Sequence, residues 1–257
     1  MSLRDNFTLT FPPDRRTALW RCPRCSQGGL VLSEETMHLT ETAESASYRD
    51  HDDWEPEWVT KRFIALAICD GCGEPVSISG TTYVEPDDDN SYWISVLRPL
   101  YVLPAPHIVP RPDSAPDTVT KLLAEAEELF WIDPKAGGNA IRCVLEAILT
   151  DRGVKRFTIS KKTHKRQPLP LHARIVEFGK GKLNQSLAEK MLAVKWIGNS
   201  GSHDGDGPKQ SDLFDGFDLL DHVLQEIYAK RTARLTSLAK RITKSKGPLS
   251  KHKKRRR

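Results

Sequence analysis

The residues with the plainest chemistry are Cys22, Cys25, Cys69 and Cys72. They stand as two C-x-x-C pairs, in "LWRCPRCSQGGLVL" and "ALAICDGCGEPVSIS". A turn across such a pair aims both thiolates at one point and presents backbone N–H groups to the sulfurs. Two turns of this kind supply the four soft ligands of a closed tetrahedral zinc site. Ion binding of this type contributes about 10–16 kcal/mol of folding free energy, enough to hold a module with little core. With no secretory signal in view, the spacing favours a metal, Zn2+, over disulfides. Redox-active pairs, or a degenerate site without metal, are the competing reading. The fifth cysteine, Cys143, lies in a helical run and reads as a small buried hydrophobe.

A second constellation is "AVKWIGNSGSHDGDG", residues 193 to 207. Four glycines surround Asn199 and His203 directly after an apolar helical run. The expectation is a helix that stops before Gly198, followed by turns whose N–H groups converge on an anion. His203 would then act as a general base near neutral pH, with Lys195 two turns earlier against a phosphate. The alternative is structural: Asn199 and His203 bond the last carbonyls of the helix, while Arg142 and Glu146 form an internal pair. No nucleophile elbow, phosphate loop or dinucleotide fingerprint occurs in the chain.

The elements that must position these residues fall into two groups. Around the cysteines, "GLVLSEETMHLTE", "RFIALAIC" and "VSISGTTYV" have strand composition, as in a zinc ribbon. The stretch between the two pairs is acidic and carries two tryptophans, so it reads as a hairpin extension or loop. Prolines at 99, 104, 106, 110, 112 and 116 predict an extended linker. Beyond it the period becomes helical. Asp117 caps "TVTKLLAEAEELF"; Asp133 and Pro134 open a helix that Gly153 closes; "VKRFTISKKTHKRQP" reads as a basic loop. Helices over "LPLHARIVEFG", "NQSLAEKMLAVKWIG" and residues 211–242 complete a bundle of five.

The predicted architecture is therefore α+β: a β-rich zinc ribbon over residues 1–98, a linker at 99–116, an all-α bundle at 117–242 and a basic disordered tail at 243–257. The formal charge of +5 hides a division. Residues 230–257 hold 13 Lys and Arg and no acid, whereas residues 1–229 hold 26 basic against 34 acidic side chains, a net charge of −8. A tail ending in Lys251, Lys253, Lys254, Arg255, Arg256 and Arg257 is expected to seek nucleic acid or an acidic protein. The absence of a long apolar run or signal-like start gives the expectation of a cytoplasmic chain with no membrane partner.

The order "AEAEELF…AIRCVLEAIL…DRG", then "KWIGNSGSH", then a long amphipathic helix resembles the domain-of-unknown-function family 4145, grouped with the HEPN superfamily of helical bundles. The resemblance covers about residues 115 to 230 and is sharpest at Arg142 with Glu146 and at Gly198-Asn199…His203. It implies a homodimer and a setting in bacterial defence or restriction, where members act as adaptors beside enzymes. HEPN ribonucleases cleave RNA at a dimer cleft with an arginine and a histidine; the matching residues here are Lys195 and His203, with seven residues between them. The two expectations are thus a non-enzymatic zinc-binding adaptor and a metal-independent ribonuclease.

Overall fold

The computed structural model describes residues 3, 7–15, 19–86, 92–181, 184–203, 207–229 and 231–249. Three long strands, β3 (Lys61–Cys69), β4 (Pro75–Pro86) and β5 (Trp93–Leu103), form an antiparallel meander. Two short strands, β1 (Leu30–Leu32) and β2 (His38–Glu41), both pair with β3, at opposite ends of it. Alternation decides the buried face: Phe63, Ala65, Ala67 and Cys69 of β3 and Val76, Ile78 and Thr82 of β4 point inward. The insertion after β2 carries helix α1 (Ala43–Ser47), whose first turn Thr42 caps by accepting from the Ser45 N–H.

The helical half comprises α2 (Asp117–Ile132), α3 (Pro134–Asp151), α4 (Leu171–Gly179), α5 (Gln185–His203), α6 (Gln210–Leu224) and α7 (Arg231–Ser245). Asp133 caps α3 by accepting from the N–H groups of Lys135 and Ala136, and Gly153, at φ +76°, ends it. The fold is mixed, a curled sheet followed by helices, in agreement with the sequence.

Four expectations are corrected. First, the proline-rich segment is not a free linker. β5 runs through Pro99 because Pro99 stands opposite Gly80 at a register shift, where a missing N–H costs the ladder nothing. Further on, Ile108 and Val109 are buried and donate their N–H groups to Glu127 of α2, both at 2.9 Å, while Arg111 pairs with the same carboxylate at 2.6 Å. Second, "VKRFTISKKTHKRQP" is a hairpin, β6 (Phe157–Ile159) against β7 (Arg166–Pro168). Third, the last expected helix is two, because a π-helical stretch at Gln225–Ala229 follows α6 and α7 ends three residues past 242. Fourth, α5 does not stop before Gly198 but continues to His203.

Sheet and helices share one apolar core rather than two. Its junction is aromatic: Phe7 lies 5.8 Å from Trp20 and from Trp131 and 5.5 Å from Phe214, and Trp20 meets Trp131 at 5.1 Å, ring centre to ring centre. Burial of such rings stabilises through area and offset ring contacts together. The cysteine-bearing half therefore leans on the helices as well as on its own residues.

Candidate metal centre and helical cation pair

Two hairpins bring the cysteines together. The Leu30 N–H bonds Trp20 O and the Cys22 N–H bonds Gly28 O, which places Cys22 and Cys25 at the tip of the first. The β3–β4 turn, closed by the Cys69 N–H on Glu74 O, carries Cys69 and Cys72 at the tip of the second. The β1–β3 register, Leu30 opposite Cys69, sets the two tips face to face. Each knuckle repeats one plan. The residue after its second cysteine, Ser26 or Gly73, has positive φ (+56° and +73°) and donates its N–H to the carbonyl of the first cysteine at 3.0 Å. Gly28 is obligatory where the tips meet, since a Cβ there would lie 2.5 Å from Cys69 Sγ and 2.8 Å from Gly71 N.

The four sulfurs lie within 4.8 Å of one another, with Cys22 Sγ to Cys72 Sγ and Cys25 Sγ to Cys69 Sγ both at 3.7 Å. All four cysteines are free of disulfides. A tetrahedron with metal–sulfur bonds of about 2.3 Å has edges of about 3.75 Å, so the two 3.7 Å separations match it and the quartet is compact enough to hold a single ion, compatible with zinc. Backbone N–H groups of Arg24, Gly28, Gly71 and Cys72 point at sulfurs at 3.3–3.4 Å. Such donors favour thiolate. The Gly28 and Gln27 N–H groups lower the Cys25 thiol to about 6. At Cys72 the Glu74 N–H pulls down, but burial and the neighbouring sulfurs push the thiol up to about 12. Without a cation, four adjacent thiols cannot all ionise; a dication removes that conflict. The residues fit a metal held by Cys22, Cys25, Cys69 and Cys72. Four protein ligands close the coordination shell, so what such an ion supplies is the tie between the two hairpins.

The second constellation sits where α3 crosses α5. A Cβ on Gly198 would lie 2.3 Å from Gly138 O and 2.7 Å from Arg142 Cδ, so the glycine serves helix contact and not helix termination. Arg142 lies over this crossing, with its Nε buried and unbonded. Lys195 is buried, 8% exposed, with Nζ 3.5 Å from the centre of the Trp196 ring. Burial lowers the Lys195 ammonium from its ordinary value, and the positive charge of Arg142 adds to the effect. Asn199 is half-buried one turn further along α5.

The expected Arg142–Glu146 pair is not made. Glu146 is exposed and faces Arg174 of α4, whose Nη1 lies 3.8 Å from its carboxylate and whose Nη2 donates to Glu146 O at 3.2 Å and Thr150 Oγ1 at 2.8 Å. Because α5 continues through Asn199, the carbonyls that Asn199 and His203 were expected to cap are within the helix. His203 is the last residue of α5, and its side chain lies outside the described residues, as do Lys251, Lys253, Lys254, Arg255, Arg256 and Arg257. Cys143 is half-buried, its thiol raised chiefly by burial. Sequence reasoning missed Arg174 and Gly138; an arginine on an apolar helical face and a glycine pair inside a helix were the available signals. No helix among the described residues is long and apolar enough to cross a membrane.

No curated protein and no solved structure matches the chain. Residues 11–101, the sheet and both knuckles, match the family model of one Domain of unknown function (DUF8608), and residues 124–245, from within α2 to the last residue of α7, match that of another, the Domain of unknown function (DUF4145).

Proposed function

We propose that this protein is a non-enzymatic, zinc-stapled adaptor of a bacterial defence or restriction-type system that reaches nucleic acid through its basic C-terminal end. The observation that carries this reading is α7. From 234 to 244 every residue is exposed, including Leu235, Leu238 and Ile242 at 50%, 40% and 42%, and Arg234, Lys240, Arg241 and Lys244 share the helix. A helix exposed at every residue from 234 to 244 and carrying only positive charge, on a body of net −8, is open to an anionic partner. Zinc is the ion of choice because four thiolates at tetrahedral spacing suit it, and the closed shell assigns it a structural role. The defence setting, a cytoplasmic location, an acidic protein as the other partner and pairing of two copies are supported by the HEPN resemblance and by composition. Titrating labelled DNA or RNA with the chain at several salt concentrations tests the reading. Affinity is expected to fall steeply with salt, and removal of residues after Ala229, α7 included, to abolish most of it; unchanged binding by the shortened chain would reject it.

One observation favours a second reading. Arg142 and Lys195 sit as neighbouring cations with Glu146 turned away to Arg174, and Lys195, Asn199 and His203 succeed one another at four-residue intervals on α5. That array suits a phosphodiester, with His203 taking a proton from a ribose hydroxyl. Cleavage of labelled RNA by the native chain, lost in His203→Ala, is the outcome this ribonuclease reading requires. Intact RNA with the native chain rejects it.

A further inference from the structure

The hairpin β6–β7 stands apart from both sites. Residues 155–166 contain Lys155, Arg156, Lys161, Lys162, Lys165 and Arg166, together with His164 and no acid. Every residue from 155 to 168 is exposed except the half-buried Ser160. Among the described residues none of these six cations enters an ion pair. An isolated two-stranded hairpin is marginal by itself. This one is nonetheless built: Ser160 Oγ accepts the Thr163 N–H at 3.2 Å, the Ser160 and Lys165 backbones bond at 2.9 Å, and the Leu169 N–H closes the base on Arg156 O at 2.8 Å. Its tip therefore holds Lys161 and Lys162 in a defined turn.

Shape and chemistry select the partner. Two strands about 4.8 Å apart, with side chains, match a groove about 12 Å wide, and among the described residues Thr158, Ile159, Arg166 and Gln167 are all exposed on the two faces of the hairpin. Thr158 pairs with Gln167, so their side chains share one face and offer the donors and acceptors that base edges read. Ile159, 69% exposed, stands on the other. Unstacked bases have no platform here, because the Phe157 ring lies under the Arg166 guanidinium at 3.8 Å, with Arg156 at 5.8 Å. The major groove of A-form RNA is too deep and narrow to admit such an element.

We propose that the β6–β7 hairpin enters the major groove of double-stranded DNA, with Lys161, Lys162 and Lys165 on the flanking phosphates and Thr158 and Gln167 toward base edges. This rests on the reading of the protein as a nucleic-acid binder but assigns the contact to the body and not to the tail. The experiment compares four full-length or shortened proteins: native, the triple variant Lys161→Glu, Lys162→Glu and Lys165→Glu, the single variant Gln167→Ala, and the chain ending at Ala229, which lacks α7. Each is titrated with a duplex DNA of about two helical turns, a single-stranded RNA and phosphatidylserine vesicles, and its melting is recorded. The triple variant should melt like the native chain, bind duplex on the order of 30-fold more weakly and lose about three from the salt slope. Guanine N7 methylation, a major-groove readout, should be suppressed by the native chain and restored by the triple variant. If the triple variant is misfolded, loss of N7 protection in Gln167→Ala, which removes no charge and takes away a proposed base-edge contact, decides the point: retained protection rejects the proposal. Equal duplex binding by the triple variant, or preference of the native chain for RNA or vesicles, also overturns it. Loss with the shortened chain alone leaves the tail reading standing and this one rejected; loss with the triple variant alone does the reverse.

Discussion

Gly198 of α5 and Gly138 of α3 touch backbone to backbone: a Cβ on Gly138 would lie 3.4 Å from Gly198 Cα, and one on Gly198 would lie 2.3 Å from Gly138 O. This crossing fixes how Lys195 approaches Arg142, because the two cations flank it on their respective helices. A methyl group forced between these backbones cannot be relieved by a rotamer change. Gly198→Ala should therefore destabilise the chain by about 2–3 kcal/mol, in the range of overpacked cores. Gly247→Ala, where a Cβ would meet nothing within 4 Å, is the matched control. Denaturant midpoints for the pair check this; a Gly198→Ala chain as stable as its control would refute the crossing.

Glu127 is the pin that holds the proline-rich strap. Its carboxylate, 1% exposed, takes two N–H groups and the Arg111 guanidinium. Glu127→Ala leaves a half-buried cation and two buried donors without a partner and should cost about 2–4 kcal/mol. Glu127→Gln, which keeps one acceptor oxygen, should cost less. Chemical denaturation of both variants measures the difference, and equal stabilities would show that the strap is held by apolar burial alone.

The left-handed turn after Cys72 contributes less to stability. Gly73 has φ +73° with open space around it, so an added Cβ meets strain and no clash. Gly73→Ala should lower stability by about 1–2 kcal/mol without loss of metal. Thermal melting together with metal content checks both outcomes.

His107 should make stability depend on pH. Burial, aided by the charge of Arg111, lowers its imidazole to about 4. The folded chain therefore holds His107 neutral where the unfolded chain, at about 6.5, already binds a proton. The stabilisation is complete above about pH 6.5 and is lost as pH falls toward 4. Allowing for its partial contact with water, the effect amounts to about 2 kcal/mol. His107→Gln should flatten this part of the stability profile relative to the native chain, both loaded with metal; parallel profiles would remove His107 as the cause.

Much of this was legible in the sequence, and the exceptions have physical reasons. The cysteine quartet was readable because soft ligands at C-x-x-C spacing leave few alternatives. Helix periodicity located α2 and α3, down to the Asp133 cap and the Gly153 stop. Gly198 was not readable: the same residue serves a helix end and a close helix crossing, and only the position of Gly138 separates the two. Pro99 misled in the same way, since a proline is excluded from a central ladder but accepted beside a bulge. The three-residue strands of the hairpin are too short to show alternation. Glu146 could have paired along its own helix with Arg142; the choice of Arg174 depends on where α4 packs.

The account turns on four sulfurs sharing one ion. Metal analysis and X-ray absorption on the reduced chain, purified without added metal, test it directly. The expected result is one zinc per chain with four sulfur neighbours at about 2.3 Å, lost together with folding of the sheet in Cys69→Ser. A well-folded native chain that carries no metal, or an ion whose neighbours are mostly oxygen or nitrogen, would contradict it.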